Sequence, residues 1–154
     1  MNRLRRLHSA ALWRRARPVL PTPAPKAGLG GAAAADVEEL LRVARLSFVQ
    51  LQAAWDRADL CAMGSLATAP LLEDLRSQLA LRGPGPNCTE VLQLHAQLLS
   101  LEDLHEAFVA SVEFTGLIRE QRHHAAAPFR ELWLLANVKA AGRGWQLARV
   151  QSLC

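Results

Sequence analysis

The spacing of apolar residues changes once along this chain, from a helical period to a strand period, and this change limits the folds open to it. Residues 37–58 and 71–79 place apolar side chains three or four positions apart, as in helices that bury one side. Over residues 92–98 and 108–115, apolar and polar residues alternate, as in half-buried strands, although Val91, Leu94, Leu98 and Leu101 in the first segment also fit a helical spacing. Two or three helices followed by a run of antiparallel strands predict an α+β domain, with the helices packed on one face of a four-stranded sheet.

The first predicted helix spans residues 36–58. Asp36 is a suitable N-cap and Glu39 stands at the third helical position, a variant of the capping box that satisfies free backbone N–H groups. Polar residues such as Arg42 and Gln52 fall outside the apolar stripe. A helix of about six turns with such a stripe needs a broad apolar surface to cover, and a sheet would provide one. The stripe comprises Val37, Leu40, Leu41, Ala44, Phe48, Leu51, Trp55 and Ala58.

A second helix is predicted after Pro70, and the glycines and prolines of residues 82–87 end it in a turn. Four strands are predicted beyond that turn, the last two over residues 129–138 and 145–151. The buried positions expected in this part of the chain are Leu71, Leu72, Leu75 and Leu79 in the helix, Leu92, Leu94, Ala96 and Leu98 in the first strand, and Phe108, Ala110, Val112 and Phe114 in the second.

Charge is distributed unevenly between the two ends of the chain. Residues 1–35 carry seven basic side chains and no acid, whereas the remainder carries 11 basic and 14 acidic side chains. Residues 18–35 are rich in Pro, Gly and Ala and are expected to be a linker. The predicted organisation is therefore a basic arm over residues 1–17, a linker over 18–35 and a folded domain over 36–152. Such an arm suits an anionic membrane surface, a nucleic acid or an import receptor.

The three cysteines, Cys61, Cys88 and Cys154, are odd in number and widely spaced, which indicates neither a disulfide framework nor a zinc site. A reducing compartment is expected, and the protein is not expected to be secreted. The sequence contains no apolar run of the roughly 18 residues that a membrane-spanning helix requires.

Four segments in this order form a recognisable pattern: residues 51–60 (LQAAWDRADL), 82–83 with 87–91 (RG and NCTEV), 110–120 (ASVEFTGLIRE), and 128–133 (PFRELW) followed by Gly144 and Trp145. Together they resemble the Tim forty-four-like family, within the nuclear transport factor two-like superfamily. The resemblance covers about three quarters of the chain. It implies a cone-shaped domain, with N-terminal helices on a four-stranded, mainly antiparallel sheet, that binds a membrane surface or a protein partner and uses no cofactor. A role in protein transport or membrane-protein assembly would follow, at the cytoplasmic face of a bacterial membrane or the matrix side of the mitochondrial inner membrane.

The main alternative is an enzyme or small-molecule binder of the same superfamily. Related cones house a general base in an apolar pocket, where desolvation raises the pKa of a carboxylate. The residues expected to line such a concavity are Phe48, Trp55, His95, Glu113 and Trp133. No acid and base stand at a spacing that chemistry would require, so a non-enzymatic role is preferred and no catalytic residue is assigned.

Metal and phosphate sites are not indicated. His123 and His124 are adjacent and lack further ligands at the usual spacing, so a solvated loop is expected there. The glycines of residues 28–31 lack the strand, helix and lysine of a phosphate loop.

The arm has the pattern of a basic amphipathic helix on an anionic membrane. A cleavable mitochondrial presequence, binding to ribosomal or other RNA, and a leader without function remain alternatives. The residues expected to contact the membrane are Arg3, Arg5, Arg6, Leu7, Trp13, Arg14, Arg15 and Arg17.

Overall fold

In a computed structural model of the chain, residues 34–82, 88–120 and 125–153 are described. Three helices precede a four-stranded sheet, in the order expected from the sequence. The helices are α1 (Ala34–Asp56), α2 (Leu60–Leu66) and α3 (Ala69–Arg82). The strands are β1 (Glu90–Asp103), β2 (Ala107–Arg119), β3 (Ala127–Val138) and β4 (Gln146–Ser152).

Helix α1 buries the apolar stripe that its sequence predicts. Leu40, Ala44, Phe48, Leu51 and Trp55 are between 0% and 2% exposed. The helix ends before Ala58, the last residue of the predicted stripe, which is exposed and adopts a left-handed backbone with φ of 55°. Asp59 then caps α2, because its Oδ1 accepts a hydrogen bond of 3.0 Å from the backbone N–H of Ala62.

One polar residue of α1 departs from the expected pattern. The polarity of Gln52 predicts a position outside the buried stripe, but only 3% of this residue is exposed. It stands one position beyond Leu51, on a helix that packs against both α2 and β1. When a helix is covered on more than one side, its buried surface extends beyond its apolar residues.

The sheet is antiparallel throughout its strand pairs, with the order β1-β2-β3-β4. Alternation divides it into two faces. The helix-covered face carries the fully buried side chains of Ala110, Val112 and Phe114 on β2 and of Trp133 and Leu135 on β3. We call the opposite side the outer face. These observations confirm the predicted fold class, α+β with helices packed on a four-stranded antiparallel sheet.

The first strand differs from its expected pattern at one end. Leu92 was expected on the buried face with Leu94, yet 38% of it is exposed. The pairing of β1 with β2 shifts between Val91 and Gln93, so that Leu92 is an extra residue in a bulge. Val91 instead faces Ile118 and packs against the core. The inserted residue shifts the alternation by one position, so the residues before it point to the face of the sheet opposite to the one expected.

The last strand ties the shorter helices to the sheet. The backbone N–H of Thr68, between α2 and α3, donates a hydrogen bond of 2.9 Å to the carbonyl of Leu147 on β4. Leu147 is 1% exposed and belongs to the same hydrophobic core as Met63 and Leu75 of the helices. Among the helices in the described ranges, none combines the length and apolar character needed to cross a membrane.

Candidate functional site

Four aromatic rings occupy the space between α1 and the sheet. Phe48 of α1 lies 5.0 Å from Phe114, 5.3 Å from Phe129 and 5.0 Å from Trp133, measured between ring centroids. Phe114 and Trp133 meet edge to face at 5.0 Å. These distances are those of rings in direct contact. We call these four residues the ring cluster.

A glutamate is buried on the same face as this cluster. Glu131 stands on β3 between Phe129 and Trp133, and its cross-strand partner on β2 is Phe114. Because alternate residues of a strand share a face, its side chain is directed toward the helices together with those three rings. Only 3% of Glu131 is exposed. A carboxyl group in such surroundings loses most of its hydration.

Burial determines the protonation of this carboxyl group. Removal from water raises the pKa of Glu131 from 4.5 to about 8, and the nearby carboxylate of Glu120 acts in the same direction. The indole Nε1 of Trp133 opposes the shift by donating a hydrogen bond of 2.9 Å to Oε2 of Glu131. Glu131 therefore carries its proton at neutral pH. Chemically, it is a buried neutral acid, able to donate a proton or a hydrogen bond to a group that reaches it.

The residues expected to line a concavity lie in three different places. Phe48 and Trp133 meet in the ring cluster, where both are 0% exposed. Trp55 is also buried, near the end of α1, where the guanidinium of Arg82 lies over its ring at 5.5 Å and donates a hydrogen bond to its backbone carbonyl. This contact joins the ends of α1 and α3.

Asp56 joins the same region to the first strand. Its carboxylate accepts hydrogen bonds from the backbone N–H of Thr89 at 2.6 Å and from the Thr89 hydroxyl at 2.8 Å. Burial raises the pKa of Asp56, while both bonds from Thr89 and the positive charge of Arg82 oppose the increase. These contacts hold the start of β1 against the end of α1.

His95 and Glu113 lie on the outer face, away from the ring cluster. His95 is exposed and pairs across strands with Thr115. Glu113 forms an ion pair of 2.9 Å with Arg130, and 16% of its side chain is exposed. The structure therefore does not bring these two residues together with Phe48, Trp55 and Trp133.

Glu131 is the residue that sequence reasoning missed. It stands at the middle of the alternating series Phe129, Glu131, Trp133 and Leu135, and the other three members are apolar. An acid on the apolar side of a predicted strand is the signal that marks it. The sequence predicts a strand over residues 129–138, but the acid expected to line the concavity is Glu113, whose strand position is polar.

Other expectations concern parts of the chain outside the described residues. The basic arm, the linker up to residue 33, the turn at residues 83–87 and the pair His123 and His124 all lie there. Within the described ranges, no group of three His, Cys, Asp or Glu side chains is arranged to hold a metal ion. Cys61 and Cys88 are exposed thiols.

No protein-family model matches the chain. No curated protein matches it either. Among solved structures, it is similar to a nuclear transport factor 2 (NTF2-like) superfamily protein from Salmonella enterica, with 11% identity and a TM-score of 0.47, over 76% of this chain and 92% of that one. It is also similar to a ketosteroid isomerase-like protein from Erwinia carotovora atroseptica, with 15% identity and a TM-score of 0.37, over 74% of this chain and 96% of that one. At these values neither likeness assigns a family or an activity, and the fold class rests on the element order and sheet topology.

Proposed function

We propose that this chain is a non-catalytic binding protein that acts at an anionic membrane surface, with the basic arm holding the folded domain beside a protein partner. The observation that carries this proposal is the separation of charge along the chain. Seven basic residues and no acid stand in residues 1–35, against an excess of acids in the remainder. Each basic residue near an anionic membrane contributes about 1 kcal/mol, so the six arginines of the arm would hold the domain reversibly.

The packing of the domain supports a role that does not depend on turnover. The ring cluster fills the space between α1 and the sheet, where an enzyme of this architecture would need room for a substrate. Phe48, Phe114 and Trp133 are each 0% exposed. A partner would therefore be bound on the surface of the domain.

Vesicle sedimentation tests the membrane part of the proposal. The full chain is mixed with vesicles of phosphatidylcholine alone or with phosphatidylserine added, at increasing salt. We expect binding only with the anionic lipid, decreasing as salt rises because screening weakens surface attraction. A full-length variant with the six arm arginines changed to Gln should remain in the supernatant.

A matched variant separates the arm from general charge effects. Changing Arg76 and Arg143, two exposed arginines of the domain, to Gln should leave sedimentation unchanged. If the arm variant binds vesicles as well as the wild type, the arm does not carry the attachment. If the wild type binds a single-stranded RNA in preference to anionic vesicles, the arm serves a nucleic acid and the membrane proposal is wrong.

A second candidate function follows from Glu131. A buried carboxyl group with a pKa of about 8 suits proton transfer to or from a carbon acid. This alternative requires the ring cluster to open for a small apolar substrate. It predicts exchange of solvent deuterium into the carbon next to the carbonyl of an added cyclic ketone, measured by NMR. The exchange should be abolished by Glu131→Gln and retained by Glu113→Gln; no exchange with the wild type would rule against it.

A further inference from the structure

Strand β1 lies at one edge of the sheet, and no strand lies on its outward side in the described ranges of the chain. The opposite edge is partly covered, because Ala67 forms a parallel bridge with Leu147 of β4. Natural proteins protect the unpaired backbone groups of an edge strand with charged residues or proline. Residues 91–101 (VLQLHAQLLSL) contain no Asp, Glu, Lys, Arg or Pro. The edge at β1 is therefore open to a further strand.

The pairing of β1 with β2 shows which backbone groups point outward. Leu104 and Ala107 exchange two backbone hydrogen bonds, of 2.8 and 3.3 Å, where the two strands meet. Such bonded pairs alternate along an antiparallel ladder, so every second residue of β2 from Ala107 onward bonds to β1. Their partners on β1 include Gln93, His95 and Gln97. The backbone N–H and C=O groups of Leu94 and Ala96 consequently point away from the sheet.

Two bulges limit the regular part of this edge. The pairing with β2 shifts at Leu92 and at Leu99, which leaves residues 93–98 in regular register. A bulge bends its strand and interrupts the row of backbone groups. With about 3.4 Å per residue, the regular stretch is about 20 Å long and accepts an extended segment of about six residues.

The side chains along this stretch differ between the two faces of the sheet. On the outer face they are polar and exposed, and they belong to Gln93, His95 and Gln97. On the helix-covered face, Leu94 and Ala96 are half-buried and pack against the hydrophobic core. Adjacent strands are stabilised by side-chain pairs on each face. A matching segment therefore alternates apolar residues on the helix side with polar residues on the outer side.

Helix α1 leaves an apolar side chain uncovered on the β1 side. Asp56 binds Thr89, just before β1, so this side of the helix is directed toward the first strand. Val49 stands about two turns before Asp56 on the same side, and 47% of it is exposed. Phe48, beside it, instead contacts the rings of β2 and β3. Val49 thus offers an apolar contact to the helix-side residues of an added strand.

The charge near one end of the stretch favours a basic partner. Glu102 is exposed there, whereas the neighbouring Asp103 forms an ion pair with Lys139. At the other end, Glu90 and Arg119 form an ion pair of 3.3 Å and are neutral together. A basic residue at the Glu102 end of the added segment complements this distribution.

We infer that the edge of β1 binds an extended segment of a partner protein, which adds a fifth strand beside residues 93–98. The segment alternates apolar and polar residues and carries Lys or Arg at the end beside Glu102. Backbone hydrogen bonds to Leu94 and Ala96 provide the attachment, and the alternating side chains provide the selectivity. This inference rests on the proposed role of the domain beside a protein partner and states the chemistry of that partner.

Selection from a phage-displayed library of random linear peptides, with the full chain as target, tests the inference. We expect the enriched peptides to share the alternation and the basic end, and fluorescence anisotropy of one labelled peptide gives its dissociation constant. Ala96→Pro should raise this constant about tenfold or more, because proline removes the outward N–H and its ring obstructs an added strand. Ala96→Ser keeps the N–H and is the matched control, expected to bind like the wild type.

Glu102→Lys tests the charge independently of any folding defect in Ala96→Pro. It should weaken binding of the selected peptide several-fold and strengthen binding of the same peptide with its basic end changed to Glu. Asp74→Lys is the matched control, since Asp74 is exposed on α3, which packs near the opposite edge at β4. It should leave both dissociation constants unchanged.

A library that yields no shared pattern overturns the inference, and so does a peptide that binds Ala96→Pro as tightly as the wild type. Equal affinity of the two peptides for wild type and Glu102→Lys would contradict the charge argument. Self-association of the wild type that Ala96→Pro abolishes, measured by sedimentation velocity, also overturns it, because a second copy then occupies the edge. The variant lacking the arm arginines should bind the peptide like the wild type, so failure of vesicle binding and failure of peptide binding are separate results.

Discussion

The indole Nε1 of Trp133 donates a hydrogen bond of 2.9 Å to the carboxyl group of Glu131, two residues earlier on the same strand. Both side chains lie on the helix-covered face, with 0% and 3% of their surface exposed. Residues two apart on a strand share a face, so the donor ring lies beside the carboxyl that it binds. The protonation of Glu131 is consequently coupled to the folding of the domain.

The pH dependence of stability is the first prediction. The pKa of Glu131 is about 8 in the folded domain, against 4.5 as the ordinary value for an unfolded chain. Below pH 4.5 both states are protonated. Between pH 4.5 and 8 only the unfolded state releases the proton, so the free energy of unfolding falls by about 1.4 kcal/mol per pH unit. Above pH 8 this contribution levels off.

Glu131→Gln should remove that dependence, because the amide does not titrate. Urea denaturation of the variant and the wild type between pH 4 and 9 measures the difference between their unfolding free energies. The free energy of unfolding of Glu131→Gln should therefore increase relative to that of the wild type as the pH rises. Glu113→Gln, a change on the outer face, should retain the wild-type slope across this range. If the unfolding free energies of the wild type and Glu131→Gln changed with pH in parallel, the carboxyl group of Glu131 would not be buried as described.

Trp133→Phe is expected to destabilise the domain and to raise the pKa of Glu131 further. The substitution keeps a ring in the cluster but removes the N–H that stabilises the ionised carboxylate. Loss of a hydrogen bond to a buried group costs about 1–3 kcal/mol. Urea denaturation measures the first effect, and the ¹³C shift of the Glu131 carboxyl against pH measures the second. Trp145→Phe, at a half-buried tryptophan, should leave the titration of Glu131 unchanged.

Gly116→Ala should disturb the pairing of β1 with β2. A Cβ at position 116 would lie 1.9 Å from the backbone oxygen of Gln93 and 3.1 Å from the ring of Phe129. Backbone atoms cannot yield as a flexible side chain does, so we expect a loss of about 1–3 kcal/mol or more. Gly64→Ala in α2 is the matched control, since its Cβ would have ordinary contact with Leu72 at 3.4 Å. In thermal unfolding, Gly116→Ala should have a lower melting temperature than the wild type, whereas Gly64→Ala should have a melting temperature equal to or above that of the wild type.

Thr89→Val should weaken the junction between α1 and β1. The change preserves shape but removes the hydroxyl that donates to Asp56 at 2.8 Å, leaving the backbone donor in place. We expect a loss of about 1–2 kcal/mol in the free energy of unfolding. The pKa of Asp56 should rise, since one of the bonds that lowers it is lost. Thr115→Val on the outer face should have little effect on either quantity.

The sequence by itself determined the kinds of elements and their order. Apolar spacing in α1 and α3 and alternation in β2 are local properties, and each is strong enough to specify a helix or a half-buried strand. Phe48, Val112 and Phe114 were all expected on buried faces and are each 0% exposed. The α+β class followed from that order, because a stripe on a helix and an apolar side on a sheet cover each other.

Tertiary structure alone decided the positions of the two insertions in β1, at Leu92 and Leu99, and the environment of two polar residues. The bulge at Leu92 depends on how β1 pairs with β2, which no local pattern encodes. Gln52 and Glu131 are polar in sequence yet 3% exposed, because their neighbours in space enclose them on several sides. The residue type indicates whether a side chain favours exposure to water, whereas its burial depends on which other elements pack against it. Burial therefore raises the pKa of Glu131 on the helix-covered face, whereas Glu113 lies on the outer face in an ion pair with Arg130.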